Sequence, residues 1–304
     1  MSIISKFKKS NFGKYLISEW HCVASFLYPR LLSDKKAIIR YYKKKSGGKI
    51  VDLENPKKFS EKLQWYKLNA KNPLMQICAD KVEVRNYLKE IGYEHLLNEA
   101  HGVYYNVKDI DWDALPQQFV IKAAHGSGQN IIVSDKSKLN IKFAKKMLKS
   151  WLRQDIAWSG REWVYKDMPK RIIAEKFLKD ESGELRDYKF FCFNGKPTFM
   201  QLEVGRYTDK NTRNFYDMDW NLMPFGKELP HNPNIVVEKP EKFEEMKEIA
   251  KNLSKPFQFV RVDLYQVNGK VYFGELTFFP AGGAPDFVPS NYDDIVGEYW
   301  ELKK

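Results

Sequence analysis

The chain has 304 residues, carries 51 Lys+Arg against 39 Asp+Glu for a formal charge of +12, and is 43% apolar and 15% aromatic. At roughly 100–200 residues per domain this length supports one large or two interlocked domains, and the composition excludes an intrinsically disordered chain and a collagen-like repeat. The three cysteines, Cys22, Cys78 and Cys192, are too widely separated for a zinc ribbon or a disulfide framework, so they read as core thiols of a reducing compartment.

Residues 1–50 form a basic amphipathic segment. Lys6-Phe7-Lys8-Lys9 and Lys43-Lys44-Lys45 bracket Phe12, Tyr15, Leu16, Trp20, Phe26 and Leu27. This interleaving suits either a helix lying on an anionic bilayer or a solvated helix packing its aromatic face on the body of the protein. The most apolar stretch, Tyr15 to Leu32, is broken by Glu19, His21, Pro29 and Arg30 and falls short of the roughly 18 uninterrupted apolar residues of a membrane span. No signal-peptide pattern accompanies it, so the expected location is cytoplasmic, with peripheral membrane contact through residues 1–45 as an option. Gly47-Gly48 marks a boundary.

The second part, 51–170, opens with a helix expected from about Asn55-Pro56, capped by Ser60 or an earlier polar residue. A second helix is expected over Lys81 to Ile91, stopped by Gly92. Gln118 to Lys122 and Ile131 to Val133 read as strands around the glycine loop His125-Gly126-Ser127-Gly128, a hairpin pattern, and a helix is expected over Ile141 to Gln154. In the third part, 171–304, strands are expected over Arg171–Leu178, Leu185–Phe193, Thr198–Val204, Gln258–Gln266 and Lys270–Phe278, with a helix near Glu241 to Leu253. Hairpins with intercalated helices make the fold class α+β.

The strongest local chemistry is Arg261-Val262-Asp263 followed, after Asn268-Gly269, by Glu275-Leu276-Thr277. A two-residue turn would pair Asp263 with Gly274 and put Glu275 on the opposite face. A three-residue turn, Val267-Asn268-Gly269, would put Phe273 opposite Asp263 and Glu275 and Thr277 on its face; this is the geometry expected here, because two carboxylates beside a neutral oxygen suit a hard cation such as Mg²⁺. A surface hairpin with solvated acids, or acids paired to Arg261, is the plain alternative. Lys122 interrupts an apolar strand just before the glycine loop, where it can reach a phosphate cradled by backbone amides, although the loop lacks the Gly-Lys-Ser/Thr ending of a Walker motif. His125 fits either a hydrogen-bonded loop residue or a base. Asp187 and Lys189 share a strand face, as an ion pair or as ligands for ribose and phosphate, and Arg206, Lys210 and Arg213 form a polar segment suited to a solvated loop or to an anionic acceptor.

Taken in order, these features resemble the ATP-grasp superfamily, and more closely its teichuronopeptide-biosynthesis (TupA-like) branch. The matching words are Asn55-Pro56-Lys57-Lys58-Phe59-Ser60-Glu61-Lys62, Ala79-Asp80-Lys81, Phe119-Val120-Ile121-Lys122 with His125 to Gly128, Asp187 to Pro197, and the hairpin from Asp263 to Gly283. The resemblance implies ATP held between two α+β lobes. By position, Lys81 and Lys122 would contact the α- and β-phosphates, His125, Gly126, Ser127 and Gly128 would close over them, and Glu175, Lys176, Phe177 and Leu178 would line the adenine. Asp187 would be a ribose- or phosphate-side acid. Lys189 and Arg261 would serve catalysis, and Asp263, Glu275 and Thr277 would hold Mg²⁺, with Thr277 standing where the superfamily usually has asparagine.

The reaction this implies is ADP-forming ligation of a carboxylate to an amine through an acylphosphate, in cell-surface (capsular or teichuronic-type) polysaccharide biosynthesis. The partners expected are ATP, carboxylate and amine substrates and an anionic polysaccharide precursor, with no nucleic acid. The competing readings are a small-molecule or sugar kinase, which would release a stable phosphoester, and a glycosyltransferase, which would require a parallel βαβ site that the pattern lacks.

Overall fold

The computed structural model describes residues 10–181, 185–205 and 211–303. Lys6, Lys8, Lys9, Arg206 and Lys210, all singled out in the sequence, lie outside these residues. By contact the chain groups into two units, each built from two chain segments: 1–33 with 76–177, and 34–75 with 178–304.

The first unit centres on a four-stranded antiparallel sheet of β1 (Ala100–Tyr104), β2 (Phe119–Ala123), β3 (Asn130–Val133) and β4 (Ile172–Lys176), in the order β1-β4-β2-β3. Alternation along β2 sends Phe119, Ile121 and Ala123 into a core shared with Ala144, Met147, Leu148 and Trp151 of the helix Ile141–Arg153. Lys122 is therefore on the other face, with Glu175 diagonally across from it, since Lys122 pairs with Ile173. Asn140 caps the helix by accepting from the Phe143 amide at 2.9 Å.

The helix Asn11–Leu31 leans on Ile141–Arg153 through small polar groups. Ser18 Oγ and Ser150 Oγ share a 2.7 Å hydrogen bond, and Cys22 Sγ donates to the Ser150 carbonyl at 3.3 Å. Of its named aromatics Tyr15 packs against the core, while Phe12, Trp20 and Phe26 are exposed.

The second unit is a five-stranded antiparallel sheet in the order β10-β9-β5-β6-β7, from β5 (Asp187–Phe193), β6 (Lys196–Val204), β7 (Thr212–Asp217), β9 (Phe259–Val267) and β10 (Lys270–Thr277), beside a short pair of β8 (Gly226–Lys227) and β11 (Phe287–Val288). One face, with Phe190, Val262 and Leu264, packs on the helix Phe243–Ser254, whose Phe243 stacks on Phe190 at 5.9 Å. The other face divides. At one end Phe193 and Phe259 meet Phe59 of the helix Phe59–Asn69 edge-on, at 5.9 and 5.2 Å. Further along the same strand face come Asp187, Lys189, Arg261 and Asp263.

Cys78 and Cys192 are buried free thiols and Cys22 is half-buried; burial pushes Cys78 up to about 12, so it is inert as a nucleophile. No helix among the described residues is long and apolar enough to cross a membrane.

Candidate functional site

In the second unit the site is written by strand register. Lys189 on β5 stands opposite Asp263 on β9, and Asp263 stands opposite Glu275 on β10, so the three side chains share one face in a row across the sheet. Arg261, two residues along β9, stands opposite Thr277. The expected three-residue turn is not present. Val267 pairs with Lys270 across a two-residue Asn268-Gly269 turn in which both residues have positive φ, 48° and 74°. Continued strictly, that register would carry Glu275 to the far face. A bulge between Phe273 and Glu275 adds one residue and returns Glu275 and Thr277 to the face of Asp263. Gly274 allows it: a Cβ there would lie 2.8 Å from the Asp263 carbonyl oxygen and 3.0 Å from the Tyr265 ring.

The polar row is dense: Asp187, Lys189 and Asp263 are buried, while Glu275 keeps 40% of its side-chain surface exposed. Arg261 donates through Nε and Nη2 to the two oxygens of Asp263, at 2.7 and 2.6 Å, and its Nη2 also reaches Thr277 Oγ1 at 3.1 Å and Glu275 Oε1 at 3.4 Å. Lys189 Nζ donates to Asp263 Oδ2 at 2.7 Å and to Asp187. Burial alone would lower the Lys189 ammonium, yet Asp187 and Asp263 hold it above its ordinary value. Burial pushes the Asp263 carboxyl up against the opposing pull of Arg261 and Lys189. Three carboxylates against two cations leave this cluster one net negative charge.

The donor chemistry of Asp263, Glu275 and Thr277 fits a hard divalent cation. Among the described residues no group of three or more His, Cys, Asp or Glu could hold a metal by itself. Mg²⁺ commonly takes one or two carboxylates and completes its shell with water and substrate phosphates.

In the first unit Lys122 Nζ donates to Glu175 Oε2 at 2.6 Å, and Arg85 reaches Glu175 Oε1 at 3.4 Å. Lys81 sits at the start of a helix positioned by Asp80: that carboxylate accepts from the Val82 amide at 2.8 Å through Oδ1 and from Arg171 at 2.6 Å through Oδ2. The Lys81 amide donates to the Ala124 carbonyl at 3.2 Å and its ammonium to the Gly126 carbonyl. Lys81 thus meets the glycine loop at its backbone, and Gly128 holds a φ of 71° that side-chain-bearing residues rarely adopt. His125 is fully buried, and its Nε2–H donates to the Trp151 carbonyl at 3.0 Å. Burial lowers its pKa from 6.5 to about 4, which makes it a neutral strut of the loop. Gln129 ties the loop's far end to Gln154, donating to its Oε1 at 2.6 Å.

Lys176 is exposed, its amide donating to the Glu99 carbonyl at 2.9 Å and its carbonyl accepting from Asn98 at 2.8 Å. Phe177 ends the first unit and Leu178 begins a segment of the second.

The first unit therefore gathers Lys81, Lys122, Glu175 and the loop, and the second gathers Asp187, Lys189, Arg261, Asp263, Glu275 and Thr277. Three further residues join the second group. Gln201 stands opposite Lys189, and Glu203 stands opposite Arg213, bonded to it at 2.6 Å. Arg213 is a buried strand residue rather than part of a loop. The signal for Gln201 and Glu203 was present in the alternation of β6, where they interleave with Met200 and Leu202.

No curated protein sequence matches the chain. Among solved structures it is similar to the D-alanine–D-alanine ligase of Bacillus anthracis, with 18% identity over 72% of this chain and 63% of that one and a TM-score of 0.43. It is also similar to the ATP-grasp ligase PsnB complexed with a phosphomimetic variant of its minimal precursor, Mg and ADP, with 10% identity, 79% and 66% coverage and a TM-score of 0.43. For the phosphoribosylamine–glycine ligase of Thermotoga maritima the values are 14%, 69% and 52%, and 0.42. The chain spans less than two thirds of the length of each of these. The model of the TupA-like ATP-grasp family matches residues 61–301, most of the chain and nearly every residue described above, and the chain belongs to that family.

Proposed function

We propose that the chain is an ATP- and Mg²⁺-dependent, ADP-forming carboxylate–amine ligase that joins an amino acid to a uronic acid or similar acceptor of a cell-surface polysaccharide precursor. We further propose that it does so in the cytoplasm, in contact with the membrane surface. The observation that carries the reading is the single-face row of Lys189, Asp263, Glu275 and Arg261 in a chain of the TupA-like ATP-grasp family.

In this reading Asp263 and Glu275 hold Mg²⁺, which supplies Lewis-acid charge at the phosphates. Arg261 and Lys189 supply fixed positive charge where phosphoryl and carboxylate oxygens become more negative, so no side-chain nucleophile is needed. Lys189 is suited to this because Asp187 and Asp263 keep it protonated. Lys81, Lys122 and the loop from His125 to Gly128 serve the remaining phosphates, and Glu175 to Leu178 the adenine. The Arg261 fork closes on both Asp263 oxygens, so Asp263 would hold Mg²⁺ only with that fork released, leaving the guanidinium to bind phosphate.

The test is incubation with ATP and Mg²⁺ across pooled amino acids and uronic-acid sugars, followed by mass spectrometry. ADP with a condensed amide is the expected product. A stable phosphoester would make the protein a kinase, and absence of ADP under every pool would overturn the reading.

A further inference from the structure

The helix Asn11–Leu31 turns its apolar side outward. Phe12, Leu16, Trp20, Val23, Leu27 and Leu31 recur at steps of four and three, which puts them on one stripe, and they range from 42% exposed at Leu16 to 71% at Leu31. The buried side of the same helix is polar: Ser18 and Cys22 meet Ser150, and Gln154 Nε2 donates to Ser18 Oγ at 2.7 Å and to the Ser18 carbonyl at 3.0 Å. This inverts the usual arrangement of a surface helix, in which the apolar stripe is what holds it to the core. Ordinary solubility does not account for a continuous apolar stripe of this length.

A row of cations borders the stripe. On the neighbouring helix Ile141–Arg153, Lys142, Lys146, Lys149 and Arg153 fall at i, i+4, i+7 and i+11 and are exposed. The row adjoins the stripe at known points: Lys146 Nζ lies 5.7 Å from the centre of the Tyr15 ring, and Arg153 is paired with Glu19. Tyr15 and Glu19 flank Phe12, Leu16 and Trp20 on their own helix. An apolar stripe with aromatic members, edged by lysines, matches the depth profile of an anionic bilayer surface, with acyl chains beneath and phosphate headgroups above. The helix is not apolar enough to span a bilayer.

We infer that the outward stripe of Asn11–Leu31, with the lysine row of Ile141–Arg153, is the surface by which the protein docks on a bilayer rich in anionic lipid. It deepens the membrane-contact part of the proposed function and needs nothing of the ligase chemistry, so vesicle binding and ADP formation can fail separately.

The full-length protein is floated with vesicles of equal parts phosphatidylglycerol and phosphatidylcholine, or of phosphatidylcholine alone. Binding to the anionic vesicles, weakened by salt, is expected. Trp20→Glu combined with Leu27→Glu should lower it more than tenfold, and Lys146→Glu with Lys149→Glu by roughly fivefold for each cation. All four positions are exposed, and an unchanged circular-dichroism melt verifies the fold. Equal binding to neutral vesicles, or anionic binding that survives Trp20→Glu with Leu27→Glu, overturns the inference. A dimer in light scattering that those two substitutions dissociate also overturns it, because the stripe is then a seam between two copies.

Discussion

Lys189 Nζ lies 2.7 Å from Asp263 Oδ2, across the ladder that joins β5 to β9, and both side chains are buried. The lysine is held between Asp263 and Asp187 and the aspartate between Lys189 and Arg261, so neither charge can be neutralised without stranding another.

Asp263→Asn removes the acid both cations share. The variant should lose ADP formation by more than a hundredfold, as expected when a metal-holding carboxylate is removed, and should be about 3 kcal/mol less stable, because a buried ion pair loses one partner. Turnover assays beside urea unfolding check both, and turnover within a few-fold of the parent would remove Asp263 from the metal site.

Gly274→Ala tests the bulge. Its methyl would stand 2.8 Å from a backbone oxygen that cannot move aside cheaply, so the strand must shift and carry Glu275 with it. The expected cost is about 1–3 kcal/mol together with a raised requirement for Mg²⁺. Gly269→Ala strains only the turn, at φ 74°, and should cost about 1 kcal/mol with the Mg²⁺ requirement unchanged. Magnesium titrations of both variants separate strain in general from displacement of Glu275.

His125 provides a pH dependence whose sign is set by burial. Its folded pKa of about 4 lies below the ordinary 6.5, so the unfolded chain takes up the proton first. Stability contributed by the neutral imidazole is complete above about pH 6.5 and is lost as pH falls toward about 4, by up to about 3 kcal/mol. His125→Gln should flatten this part of the profile, measured as urea midpoints across the interval.

Gln154 joins the N-terminal helix to the glycine loop, donating to Ser18 and accepting from Gln129. Gln154→Leu takes the acceptor from Gln129 and one of the two side-chain partners from Ser18 Oγ, and should destabilise by about 1–3 kcal/mol. It should also raise the KM for ATP severalfold with kcat nearly unchanged, since the loop is loosened while the acid–cation row is untouched. Steady-state kinetics decide, and an unchanged KM would confine Gln154 to packing.

Most strands of the two sheets were legible, from alternation in β2 and from apolar runs elsewhere, and Gln118 to Val133 carried its hairpin openly, but β1 and β7 were not expected. The hairpin face of Asp263 and Glu275 was anticipated through a mistaken turn. Asn-Gly specified a two-residue turn by its tolerance of positive φ, and the compensating residue was Gly274, which periodicity cannot distinguish from an ordinary strand position. Gln201 and Glu203 stayed hidden, and Arg213 was read as part of a polar segment between strands, because their partners lie on neighbouring strands and appear only once register is known. The N-terminal helix was legible as a helix, but not its orientation: the residues that bury it, Ser18 and Cys22, are small and polar and leave no mark in hydropathy.

The discontinuous second unit has a consequence for synthesis. Phe59 and Tyr66 emerge from the ribosome with the segment 34–75, but the rings they pack against, Phe193, Phe259, Phe279 and Trp300, belong to the segment 178–304. At roughly 5–20 residues per second the first of these follows on the order of ten seconds later. During that interval the helix Phe59–Asn69 is without its core, and chains released before Trp300 lack the ring that Tyr66 meets edge-on at 5.1 Å. Chaperone capture during translation should therefore concentrate between the emergence of Phe59 and that of Trp300.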